Sequence, residues 1–155
     1  REEVDLSAMA KKIAAACSSA SPQREAEFII APGLSALADR KLIFIVLENL
    51  IGNAWKFTAH AERPLIEFGQ DVIEGKQVFF VRDNGIGFDS AYSEKLFGHF
   101  QKLHTDADSE GTGIGLAMVE RILRLHGGRV WAEGAIGQGA TFYFTLENKS
   151  KQEIL

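Results

Sequence analysis

The chain has 155 residues, 46% of them hydrophobic, enough for one domain with a core of its own. A formal net charge of −4 gives no basic footprint for nucleic acid, and a single cysteine, Cys17, leaves no internal disulfide. No Cys/His grouping has zinc-ligand spacing, no apolar run reaches the roughly 18 residues of a membrane span, and no N-terminal segment reads as a signal peptide. A reducing, cytoplasmic setting without direct membrane contact is expected. Residue 1 is Arg rather than Met, which reads as a piece of something longer.

Residues 6–20, rich in alanine, predict a helix that Ser18, Ser19, Ser21 and Pro22 end. Glu27 to Ala31 reads as a short strand closed by Pro32-Gly33, and Ser35 to Leu37 as a second extended piece. Asp39 can cap the next helix, which runs to about Thr58. In it Leu47, Leu50, Ile51 and Ala54 follow the spacing of a buried face, while Asn49, Asn53 and Lys56 fall together on the other side. Pro64 to Phe68 and Gln77 to Arg82 predict two strands linked around Glu74-Gly75-Lys76. A glycine stretch, Asp83-Asn84-Gly85-Ile86-Gly87, follows directly. Ser93 to Phe100 suggests a short helix, and Gln101 to Glu110 a polar loop.

A second glycine stretch, Gly111-Thr112-Gly113-Ile114-Gly115, opens a helix that ends at Gly127-Gly128. Arg129 to Glu133 and Ala140 to Leu146 are the last two strands, and Ser150 to Leu155 is a tail. Strands paired mainly as hairpins, with helices between them, predict an α/β two-layer sandwich. Its sheet of about five strands is mixed but mainly antiparallel, with about three helices on one face.

The glycine stretches fit no common phosphate loop. Gly-Lys-Ser/Thr is missing, and Leu116 stands where a dinucleotide fingerprint needs its third glycine. Asp83-Asn84-Gly85 is too short and too poor in acids for a calcium loop, and serine-hydrolase and zinc-protease signatures are absent. The constellation says more than its parts. Asn53 offers an amide oxygen suited to Mg²⁺, with Asn49 one turn earlier able to support it. Lys56 can reach a phosphate as a mobile point charge, and Gly113 and Gly115 put free N–H groups at a helix N-terminus. Asp83 can accept a hydrogen bond from an exocyclic amine such as that of adenine. Together they read as an ATP site.

In this order the motifs resemble the catalytic and ATP-binding domain of bacterial sensor histidine kinases, within the GHKL superfamily that includes gyrase-type and Hsp90-type ATPases. Glu48 to Thr58 (ENLIGNAWKFT) is similar to that family's N box, Arg82 to Asp89 (RDNGIGFD) to its first glycine box, Leu96 to His104 (LFGHFQKLH) to its F box, and Glu110 to Leu116 (EGTGIGL) to its second glycine box. Gly128 to Leu146 is similar to the closing strands. The FQKLH and RVWAEG segments look like kinases of the phytochrome-like, soluble-sensor type.

The resemblance implies one domain over 1–148, with an ATP lid at 101–110 and a tail at 149–155. It implies Asn53 as Mg²⁺ ligand, supported by Asn49, with Lys56 on phosphate and Phe57 beside adenine. Asp83 would fix the adenine amine, with Gly85 and Gly87 in close contact and Thr141 helping through water. Gly111, Thr112, Gly113, Ile114, Gly115 and Leu116 would line the phosphates, and Lys102 and His104 would reach them from the lid. Two positions depart from the family. Gly98-His99 stands where an acid–proline pair is common, and Lys102 replaces an arginine fork by a point charge.

ATP-hydrolysing relatives place a glutamate one turn before the metal-binding asparagine; here that place is Asn49, which favours transfer over hydrolysis. His60, His99, His104 and His126 lack the acceptor context of the family. The expected phosphoacceptor is therefore a histidine on an upstream dimerisation domain of a homodimeric parent, with a response regulator receiving the phosphate. Two alternatives are a non-catalytic nucleotide-binding regulatory domain and a GHKL-type ATPase.

Overall fold

A computed structural model describes residues 1–89, 91 and 112–146, without the side chains of 112–114. The expected short helix at 93–100, the loop at 101–110, Gly111 and the tail lie outside the described residues.

Aspartates start the first two helices. Asp5 accepts from the Ala8 N–H at 2.9 Å to open α1 (Leu6–Ala20), and Asp39 accepts from the Leu42 N–H at 3.0 Å to open α2 (Arg40–Phe57). Ahead of α1 lies β1 (Glu2–Asp5), which pairs antiparallel with β3 (Ser35–Ala38) as a small separate ribbon. The sequence reading has no β1. Its four residues hold one apolar side chain, Val4, too little to show any period, and tertiary pairing makes the strand.

The main sheet runs β2-β4-β5-β7-β6: β2 (Glu27–Ile30), β4 (Leu65–Ile73), β5 (Lys76–Asp83), β7 (Ala140–Phe144) and β6 (Val130–Gly134). β2 lies parallel to β4 and the other neighbours are antiparallel, so the sheet is mixed as expected. β4 extends past its expected end at Phe68 to Ile73. Its outer half carries Gly69, Gln70 and Asp71, poor strand formers, and is held by its ladder with β5. Glu74 (φ 53°) and Gly75 (φ 77°) make the two-residue hairpin turn, the twisted kind that right-handed strands favour.

One face of the sheet packs on the helices. Leu47, Leu50, Ile51 and Ala54 of α2 are buried as expected, with Ile66, Phe68, Phe79, Val81, Phe142 and Phe144 beneath them. α3 (Thr112–Leu125) adds Leu116, Val119, Ile122 and Leu123. Phe79 stacks between Phe68 at 6.3 Å and Phe144 at 5.3 Å, each such ring contributing about 1.5–3 kcal/mol by burial. On the other face Trp131 stacks on Tyr143 at 5.4 Å, and Phe80 tilts against Tyr143 at 6.4 Å.

Candidate functional site

α2 holds the two glycine stretches at its two halves. At its C-terminal end the Phe57 carbonyl accepts the Ile86 N–H at 3.1 Å, and a Cβ on Gly85 would collide with that same carbonyl. Two turns earlier, a Cβ on Gly115 would lie 2.5 Å from Asn49 Oδ1, so α3 begins hard against Asn49. Asn53 lies between these contacts, one helical turn from Asn49. Asn49 Nδ2 donates to the Ile45 carbonyl at 2.8 Å, whereas Asn53 Nδ2 is buried and has no hydrogen-bond partner among the described residues. An unpaired buried donor costs about 1–3 kcal/mol, so the Asn53 Nδ2 is a donor open to an acceptor oxygen of a ligand.

Asp83 ends β5 and is 6% exposed. Its Oδ1 accepts the Gly85 N–H at 2.8 Å, closing a tight turn. Burial pushes its carboxyl up to about 6, against the pull of the Gly85 and Ala140 N–H groups. Asn84 ties the turn to the far strand, donating to the Arg63 carbonyl at 2.8 Å and accepting the Leu65 N–H at 2.9 Å. Gly87 takes φ 67°, and a Cβ there would strike the Ala135 carbonyl. Close approach of protein backbone therefore demands glycine at both 85 and 87, whatever a ligand adds.

The loop of 135–139 closes this end: the Gly137 N–H donates to the Ile86 carbonyl at 2.7 Å. Sequence reading assigned these residues no site role, although Gly137 and Gly139, both at positive φ, were the available signal. Among the described residues no three His, Cys, Asp or Glu side chains converge. A metal in this cleft would take its oxygens from an amide such as that of Asn53 and from its own ligand.

A family model described as "Histidine kinase-, DNA gyrase B-, and HSP90-like ATPase" matches residues 38–150. The chain belongs to this family. The Methanogenesis regulatory histidine kinase FilI of Methanothrix harundinacea is 47% identical over 70% of the chain, and Cyanobacterial phytochrome A of Nostoc sp. is 44% identical over 72%. The chain spans 12% and 14% of the lengths of these two relatives. Full-length ShkA, solved in complex with AMPPNP, shares the fold at a TM-score of 0.74 with 32% identity, over 92% of this chain and 30% of that one. Within the family this is an ATP-binding catalytic domain of the histidine kinase kind, and the expected likeness to phytochrome-type kinases holds.

Along α2 this histidine kinase domain sets Asn49 against Gly115 and Phe57 against Gly85, with Asn53 between them, and Asp83 bonds Gly85 in the turn that Gly87 ends. Lys56 is exposed on the same helix, Phe57 is buried, and Leu116 is fully buried in the core. Lys102, His104 and Gly111 lie outside the described residues, as do the side chains of Thr112 and Ile114 and, with them, any account of Gly113's contacts.

Thr141 corrects the sequence reading. It pairs with Arg82 across β5 and β7 and accepts from Arg82 Nε at 3.3 Å, so its side chain lies on the outer sheet face, away from Asp83. Ala140 is the residue opposite Asp83. The outer face carries its own open groove of about 450 Å³, along the row Glu67, Arg82, Thr141 and Glu133.

Proposed function

We propose that the domain, taken as residues 1–148, binds ATP in the cleft between α2, the turn of 83–87 and the start of α3, and presents its γ-phosphoryl group to a histidine. The observation that carries this reading is α2 itself: it ties both glycine stretches to one helix and leaves Asn53 Nδ2 buried and unpaired between them. The Asp83 carboxylate accepts the adenine amine. ShkA's complex with AMPPNP, an ATP analogue, supports the same ligand class here. Mg²⁺, when bound, neutralises phosphate charge; the Asn53 amide oxygen would hold it with Asn49 in support, phosphates and water supplying its other ligands. Lys56 and the N–H groups at the start of α3 meet the phosphates.

The acceptor is a histidine on an upstream dimerisation domain of a homodimeric cytoplasmic kinase. Its ring nitrogen forms the bond to phosphorus as the bond to the ADP oxygen breaks, and a response regulator then takes the phosphoryl group. Transfer rather than hydrolysis is supported by the charge pattern of α2. Its only acid, Glu48, is exposed, and Asn49 stands where a water-activating carboxylate would be needed.

Calorimetry with ADP and AMPPNP tests the site. Asp83→Asn keeps an oxygen for the Gly85 N–H but turns an NH₂ donor toward the adenine amine, so binding of both nucleotides should fall about a hundredfold or more. Asn53→Ala should remove the Mg²⁺-dependent part of AMPPNP affinity. Unchanged affinities in both variants would place the nucleotide elsewhere.

A further inference from the structure

α1 and α2 begin side by side, and around their starts lies a second groove of about 390 Å³, none of whose lining residues is among those assigned to nucleotide. Its floor is apolar, made of Ala8, Met9 and Phe44, with Phe44 36% exposed. Its rim carries three cations, Lys12 from α1 and Arg40 and Lys41 from α2, and one acid, Asp5. This charge stands against the chain as a whole, which carries −4. α1 contains no acid, and Arg40 and Lys41 occupy the first two positions of α2, where the helix dipole disfavours cations.

Nearby acids neutralise this rim only in part. Glu2 Oε1 takes Arg40 through Nη2 at 2.9 Å and Nε at 3.2 Å, and the Asp5 carboxylate, which accepts the Ala8 N–H, offsets one of the two remaining cations. The ammonium groups of Lys12 and Lys41 make no hydrogen bond or ion pair with any described residue, although the Lys41 backbone N–H bonds the Asp39 carboxylate. Lys12 and Lys41 stand beside an apolar floor, and Lys41 does so in the first turn of a helix, where a cation is disfavoured; an acidic partner would repair that departure.

We propose that this groove docks an acidic amphipathic helix of a partner domain. The cleft between two helix starts suits a third helix, which would seat one or two apolar anchors on Met9 and Phe44 and set its carboxylates on Lys12 and Lys41. Methionine gives the floor the adaptability that such docking surfaces use. An anionic bilayer is the poorer match, because beyond this patch it would meet a net-negative protein. The inference stands independently of the nucleotide reading.

The test uses synthetic amphipathic helices of about 18 residues, long enough to hold helical structure on docking, with leucines at i, i+3, i+4 and i+7 and flanking glutamates. A matched peptide carries lysines in place of the glutamates. With the ¹⁵N-labelled chain, the glutamate peptide should shift amides of 5–12 and 40–44 and bind at least about tenfold tighter than the lysine peptide. Lys12→Glu with Lys41→Glu should invert that preference, a rescue that a misfolded variant could not give. Phe44→Ala should weaken both peptides in their preferred partners. Equal binding of the two peptides, shifts centred elsewhere, or a preference unchanged by the charge reversal would overturn the proposal. So would co-sedimentation with phosphatidylserine vesicles by a chain that ignores the glutamate peptide, which would assign the patch to a membrane surface.

Discussion

Burial holds the Asp83 carboxyl at about 6, above its ordinary 3.8, and the sign of that shift decides what the residue does to the fold. An acid with a raised folded pKa binds its proton more tightly in the folded chain than in the unfolded one. It therefore lowers stability at neutral pH, and the penalty fades as pH falls from about 6 toward 4. The shift is worth up to roughly 3 kcal/mol. Asp83→Asn should accordingly raise the melting temperature of the nucleotide-free domain at pH 7.5, by several degrees at 2–4 °C per kcal/mol, with the gap closing near pH 4.5. The same variant should lose ADP. A gap that persists at low pH would show that desolvated charge is not the cause. Asn53 makes the parallel case with a neutral group, a donor left unpaired in the core of the cleft. Stability given up at both positions is what a binding site preformed for its ligand requires.

At the scale of elements, α2 is the part on which the site depends, and its C-terminal end is clamped from outside. Arg24 Nη1 donates to the Trp55 carbonyl at 2.8 Å, Nη2 to Thr58 Oγ1 at 3.2 Å, and the guanidinium lies 3.8 Å over the Trp55 ring. Trp55 in turn stacks on Phe28 of β2 at 5.9 Å. A cation there also meets the negative end of the helix dipole. Arg24→Ala should cost about 2 kcal/mol, the sum of a charged hydrogen bond and a cation–π contact on a half-buried side chain. Arg24→Lys should recover only part of it, since a point charge cannot fork and stack. Thermal melts of the two variants check this, and equal loss in both would remove the stacking argument.

Sequence read this helix well because its caps and its apolar period are local: Asp39, Leu47, Leu50, Ile51 and Ala54 fall where expected. It read β4 and β1 poorly because partners far along the chain make them. Phe80 covers Gly69, and Ala38 pairs Glu2. In the cleft, residue type announced Asn53 and Asp83. Cross-strand register was not legible, so Thr141 was expected to help at adenine although it pairs with Arg82 on the outer face, and the approach of Ala135 and Gly137 was missed.

For the whole molecule, β1, α1 and β2 precede the family match at 38–150, yet Val4, Leu6, Met9 and Ile13 belong to the same core as α2. One buried side chain ties the starts and ends of the layers together. His126, 2% exposed, accepts the Asp39 N–H on Nε2 at 3.1 Å and donates from Nδ1 to the Ile122 carbonyl at 2.9 Å, in the tautomer that this pairing assigns. It joins the last turn of α3 to the cap of α2. His126→Phe fills the volume but orphans both partners, so it should cost about 2–3 kcal/mol. Hydrogen exchange should show the loss spread over α2 and α3 together; loss confined to the end of α3 would deny the coupling.

The central claim is phosphoryl transfer, and one measurement bears on it most directly. The domain is mixed with a separately made upstream segment carrying the candidate phosphoacceptor histidine, and with γ-labelled ATP and Mg²⁺. An acid-labile, base-stable phosphoryl label on that histidine, absent with Asp83→Asn, is the result expected. Nucleotide binding without label on the segment, or release of free phosphate at the same rate with and without it, would contradict the account.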